Sequence, residues 1–93
     1  MPITSTKEEL IRSRGYRDDI SADAYTLYLS NYPVSAKYLA GRIGDLNKVV
    51  AELCAGVGIT AVELAKQFKA VKCYEIDSGI AQHLRNNSVK AGV

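Results

Sequence analysis

The stretch VVAELCAGVGITAVELAK, residues 49–66, followed by VKCYEID, residues 71–77, decides the fold of this chain. An apolar run ends in an acid, crosses a small-residue loop with two glycines, opens a helical pattern, and leads to a second apolar run that also ends in acids. Apolar runs of this length, separated by a helix, predict parallel strands in a βαβ unit. Gly56 and Gly58 lack a Cβ, so the backbone between strand and helix can turn tightly and approach a ligand closely. The helix expected from Ile59 to Phe68 directs its free first-turn amides at that loop, which suits a polar or anionic group. Glu75 falls seventeen positions after Gly58, where a carboxylate can accept hydrogen bonds from two ribose hydroxyls.

A Gly-x-Gly-x-x-[Gly/Ala] pattern alone, here Gly56, Gly58 and Ala61, is weak evidence, and Glu52 sharpens it. An acid at the carboxyl end of the first strand repels a pyrophosphate and welcomes a cation. The amino group or sulfonium of S-adenosylmethionine is such a cation, so Glu52 weighs against an NAD(P)-binding oxidoreductase, the rival reading.

These residues resemble the first two motifs of the class I S-adenosylmethionine-dependent methyltransferases. The first motif, apolar, apolar, acid, x, Gly, x, Gly, x, Gly, reads here Val50, Ala51, Glu52, Leu53, Cys54, Ala55, Gly56, Val57, Gly58, with Cys54 in place of the first glycine. The second resembles Cys73, Tyr74, Glu75, Ile76, Asp77, and the tail LRNNSVKAGV is similar to the Asn-Ala-x-x-x-Gly ending of the following helix. More loosely, NYPVSAKYLAGRIGD resembles the lead-in of the trimethylguanosine synthase-like RNA methylases. The resemblance implies a Rossmann-like sheet and S-adenosyl-L-methionine as cofactor. Glu52 would then hold the methionine amino group, the backbone of Cys54, Ala55, Gly56 and Gly58 would form the floor, Glu75 would hold the ribose, and Ile76 would lie at the adenine. It also ranks RNA first among methyl acceptors.

With 93 residues and two strand-like runs, the chain is expected to be the amino-terminal part of a methyltransferase whose catalytic residues lie beyond residue 93. No Asn-Pro-Pro-[Tyr/Phe] tetrapeptide occurs in it, so the piece alone is expected to be inactive. Two segments are expected: an amino-terminal helical one, residues 1–47, and the first βαβα part of an incomplete α/β sheet, residues 48–93. A sheet this small with an unpaired edge predicts that the isolated piece self-associates through strand one or stays poorly ordered; a non-catalytic scaffold or dimerisation module with a vestigial cofactor pocket is a further alternative. A hydrophobic content of 47% with a net charge of +2 and no apolar run long enough for a membrane span predict a cytoplasmic protein without membrane attachment.

In the helical segment, Thr6 with Glu9 predicts a capping box for a helix over 6–14, closed by Gly15. Ser21 is expected to cap a second helix whose Tyr25, Tyr28, Leu29 and Tyr32 share one face and pack as core, with the alternative that one of the tyrosines lines the cleft or stacks on a base. Ser35 is expected to cap a third helix with Ala36, Leu39, Ala40 and Ile43 inward and Gly44 at its end. Strand one, Val49–Leu53, is expected to be covered on both faces, strand two to span Val71–Glu75, and a last helix to start at Asp77 or Ser78, bury Ile80 and Leu84, and end at Gly92. Cys54 and Cys73 read as buried thiols without a metal or disulfide role. His83 carries no assigned chemistry, and the basic residues Lys7, Arg12, Arg14 and Arg17 read as a solvated face diluted by neighbouring acids, with steering of a phosphate backbone as the alternative.

Overall fold

The computed structural model describes residues 4–93. Three helices, α1 (Lys7–Arg14), α2 (Ala24–Tyr28) and α3 (Pro33–Ile43), precede a β–α–β–α unit. That unit is β1 (Val49–Leu53), α4 (Ile59–Gln67), β2 (Ala70–Tyr74) and α5 (Ser78–Ala91). The two strands pair in parallel, Val49 opposite Ala70 through Leu53 opposite Tyr74, so the fold is mixed α/β with α4 as the crossover. No helix among the described residues is long and apolar enough to cross a membrane.

Most helix boundaries follow from local chemistry. The Thr6 hydroxyl accepts the Glu9 amide at 3.1 Å, the Asp77 carboxylate accepts the Ile80 amide at 3.0 Å, and Gly15 and Gly92 close α1 and α5 in the left-handed region, the conformation glycine adopts without a Cβ penalty. Two caps differ from expectation. Asp23, not Ser21, caps α2 in a full capping box with Thr26, because Ser21 is drawn into contacts with α5. Pro33 opens α3 at its first turn with Tyr32 before it, since a proline there forfeits only an amide that has no helical partner; Ser35 is therefore inside the helix.

Two apolar clusters hold the elements together. Leu10, Tyr16, Ile20, Ala22 and Leu27 from the amino-terminal segment enclose Val57 of the glycine loop, with Ile59 and Ile80 against them. Ala40, Leu64 and Phe68 form the second cluster, on which Val50 and Val71 pack from the sheet. Residues 1–47 and 48–93 thus share both cores. Burying apolar side chains in this way stabilises by roughly 1.5–3 kcal/mol each, so the helical segment is structurally joined to the loop it covers.

The sheet is covered on one face only, contrary to the expectation for β1. Val50 and Glu52 alternate inward, while Val49, Ala51 and Leu53 are exposed, as are Lys72 and Tyr74 on β2. A run of apolar residues fits a two-sided strand, but α3 and α4 cover only the inner side here. The tyrosine stripe is likewise not core: Tyr25, Tyr28, Leu29 and Tyr32 are all exposed. Helical spacing places such residues on one face but cannot supply the element that would cover it, and α2 is only five residues long. On α3, Ala36 and Ala40 are buried as expected, whereas Leu39 and Ile43 are exposed. Ile80 and Leu84 are half-buried. Strand two runs one residue earlier than expected at each end, and Cys54 is an exposed thiol rather than a buried one.

Candidate functional site

The loop between β1 and α4 is built around three consecutive left-handed alternations. Cys54 has φ +57°, Gly56 +62° and Gly58 +101°. Cys54 therefore adopts, despite its Cβ, the backbone that a glycine would take, at a cost of roughly 1–2 kcal/mol, and the turn keeps a glycine-type shape. The backbone angle favours glycine at 58, and a Cβ there would lie 2.6 Å from Cδ1 of Leu84, so that the end of that side chain would have to move. Absence of that Cβ lets the start of α4 rest directly on α5.

The loop is pinned from three sides. Ala55 donates its amide to the Tyr74 carbonyl at 3.0 Å. Gly56 donates its amide to one oxygen of Glu75 at 2.9 Å, and the other oxygen accepts the Asp77 amide at 3.0 Å. Glu75 thus ties the glycine turn to the start of α5, and charge-assisted bonds of this kind are the stronger class. From below, the Val57 side chain is sunk in the first core with 1% exposure, and its carbonyl accepts the Asn87 side-chain amide at 2.8 Å. Asn87 also donates to the Ser21 carbonyl and accepts the Ser21 amide. One buried side chain thereby joins α5, the loop and the amino-terminal segment.

Two hollows flank this loop, with Ile59 in the wall of each. The first, of about 600 Å³, is lined by Glu52, the Cys54–Val57 backbone, Asp23, Asp77 and His83, with Tyr25 and Leu29 at its α2 side. Three carboxylates face it, and no Lys or Arg among the described residues does. Glu52 lines it, and Oε1 of its carboxyl is buried without a hydrogen-bond partner among the described residues, an arrangement that costs free energy. Burial holds the Glu52 carboxyl above its ordinary range. The Cys73 thiol, opposite Glu52 across the strands, is pushed up by burial and then by the Glu52 charge. Asp23 is held low by the Thr26 amide and hydroxyl. His83 shares a 2.7 Å hydrogen bond between its Nδ1 and the Ser21 hydroxyl.

Of the residues singled out from the sequence, Glu52, Cys54, Ala55 and Gly56 meet at this hollow. Glu75 stands one hydrogen bond behind it, through the Gly56 amide. Gly58 lines the other hollow, and Ile76 is fully exposed without lining either. Val57 and Asn87 were not foreseen. The signals were present: a single bulky apolar residue between two glycines, and a polar residue on the Ile80–Leu84 stripe of α5, where helical spacing continues to position 87.

The second hollow, of about 450 Å³, has the opposite character. Arg14, Arg17, Lys37, Lys66 and Lys90 line it, against the acids Asp19 and Glu63. Comparison with family models, with curated proteins and with solved structures finds no match for this chain.

Proposed function

We propose that the acidic hollow binds the adenosyl amino acid of S-adenosylmethionine, and that this chain is the cofactor-binding portion of a methyltransferase with a Rossmann-like sheet, acting on RNA in the cytoplasm. The observation that carries this reading is the half-buried Glu52 carboxylate near the end of β1, one oxygen of which has no hydrogen-bond partner among the described residues, in the wall of a hollow beside a glycine-type turn that no described Lys or Arg lines. An ammonium or sulfonium is attracted by that carboxylate and a pyrophosphate is repelled by it, which weighs against the NAD(P) alternative. Cys54, Ala55 and Gly56 supply the floor. Glu75 fixes the Gly56 amide, and the lone pairs it does not spend on backbone amides are the acceptors for the ribose. Ile76, fully exposed, can meet the adenine only as an outer cover.

When bound, the cofactor supplies the electrophilic methyl group, so the demand on the protein is to hold the acceptor in line rather than to provide acid–base chemistry. RNA as acceptor is supported by the family resemblance and by the exposed Tyr25 at the α2 side of the hollow, on which a base can stack. Titration calorimetry with S-adenosylhomocysteine tests the cofactor reading. The chain should bind it, and Glu52→Gln should weaken binding by at least about tenfold, as loss of a charge-assisted bond does.

A second reading, self-association, is favoured by one observation: the outer sheet face, with Leu53 74% exposed beside Val49 and Tyr74. Two parallel strands with open edges and an apolar face are marginal alone. Light scattering should show concentration-dependent dimers that Leu53→Lys returns to monomers; a wild-type monomer throughout the range would refute this.

A further inference from the structure

The second hollow is not used by the cofactor reading, and its chemistry differs from that of the first. Five cations against two acids leave a surplus of three positive charges, larger than the +2 of the entire chain. Five of the chain's twelve basic residues meet at this one hollow. They come from α1, the loop after it, α3, α4 and α5, far apart in sequence. The floor between them is apolar, formed by Ile20, Val34, Ile59 and Val62.

Four of the five cations are already held in place, among them Lys90, whose Nζ donates to the Asp19 carbonyl. The Arg14 guanidinium donates to the Tyr28 carbonyl at 2.8 Å and lies over the Tyr28 and Tyr32 rings, 5.1 and 4.5 Å from their centroids. Arg17 donates to the Lys90 carbonyl at 2.9 Å and pairs with Asp19. Lys66 pairs with Glu63 at 3.1 Å, whereas Lys37, on the facing helix α3, makes no ion pair among the described residues. Fixed guanidiniums lose little further entropy when an anion arrives, and Lys37 gives the hollow an uncommitted point charge.

We propose that this basic hollow is a second binding site, which takes the phosphate of a nucleotide between Lys37, Lys66 and the braced arginines, with the sugar and base resting on the apolar floor. Inorganic phosphate alone would leave most of a cavity of about 450 Å³ and its apolar floor unused, and a neutral nucleoside would leave the cations unmatched. The inference does not depend on what the acidic hollow binds.

Calorimetry with guanosine 5′-monophosphate, guanosine and a short 5′-phosphorylated RNA tests it, with S-adenosylhomocysteine titrated separately. The nucleotide should bind at least about tenfold more tightly than guanosine, because each charge-assisted bond to phosphate contributes on that scale. Rising salt should weaken it. The double variant Lys37→Glu/Lys66→Glu should lose at least about tenfold in nucleotide affinity, with its response to S-adenosylhomocysteine unchanged. Lys37→Gln/Lys66→Gln, which adds no repulsion, should show a smaller loss in the same direction and serves if the first variant does not fold. If the RNA binds where the free nucleotide does not, and the lysine variants abolish that binding, the phosphate is that of a strand terminus. Equal affinity for guanosine and its monophosphate, absence of binding by both nucleotide and RNA, or unchanged affinity in folded lysine variants overturns the proposal.

Discussion

The two hollows on either side of the glycine loop share Ile59 in their walls and little else. One presents three carboxylates and, among the described residues, no Lys or Arg; the other presents five cations and two acids. Like charges brought together around a cavity repel one another. The separation divides charge of opposite sign across the glycine loop. It also shows that the loop is a partition wall: what fixes its shape fixes both cavities at once, while the lining charges can be altered one cavity at a time.

Substitutions in the wall should disturb both sides. Gly58→Ala places a Cβ against Leu84 at a φ of +101°, which combines overpacking with a strained backbone and should cost roughly 2–4 kcal/mol. Chemical denaturation should show a midpoint loss of that order, with both ligand affinities reduced together. Next in size is Asn87→Ala, which removes three hydrogen bonds and strands the Ser21 amide, the Ser21 carbonyl and the buried Val57 carbonyl. A loss of about 2–3 kcal/mol is expected from the unpartnered groups. Retention of either hollow's affinity in a stably folded Gly58→Ala protein would break the picture of a shared wall.

Cys54→Gly probes the wall in the other direction. Relief of the left-handed strain at φ +57° is partly offset by the greater freedom of glycine in the unfolded chain, so a stability gain below about 1 kcal/mol is expected. A loss would mean that the Cys54 side chain holds the turn.

The charges can be tested separately by pH. Burial raises the folded-state pKa of Glu52, so its proton is held more tightly in the folded protein. The stability this gives is present in acid and lost as pH rises through the raised value. Glu52→Gln should therefore melt above the wild type at neutral pH, and the gap should close on acidification. Asp23 has the reverse sign, because its lowered pKa gives stability above the ordinary carboxylate range that is lost as pH falls through the folded value. Asp23→Ala should narrow that acid loss. The smallest effect is expected on the bare sheet face, where Leu53→Lys should change monomer stability by less than about 0.5 kcal/mol.

What the sequence conveyed best was whatever local chemistry fixes. Thr6, Asp77, Gly15 and Gly92 act as caps where short-range rules put them, and the glycine turn after Glu52 has the backbone its residues demand, even at Cys54. The acidic hollow was legible in part, since Glu52 and the Cys54–Gly56 backbone meet as their spacing suggests. What was not legible depends on cover and on distant partners. Periodicity aligned Tyr25, Tyr28 and Tyr32 but could not reveal that they stay exposed, with the Arg14 guanidinium over the Tyr28 and Tyr32 rings in place of an apolar cover. The apolar run of β1 could not show that one of its faces is bare. Ser21 has every property of a cap, yet its amide and carbonyl are taken by Asn87, 66 residues away. The basic hollow was invisible for the same reason, because Arg14 and Lys90 become neighbours only through the tertiary fold.

The account depends most on the acid at the tip of β1 facing a cationic ligand. Calorimetric titration of S-adenosylhomocysteine into wild-type and Glu52→Gln protein at neutral pH reads this directly. Saturable binding to the wild type, reduced at least about tenfold in a variant that is no less stable, is the predicted result. Absence of binding to the folded wild type, or equal affinity in the two proteins, would contradict it.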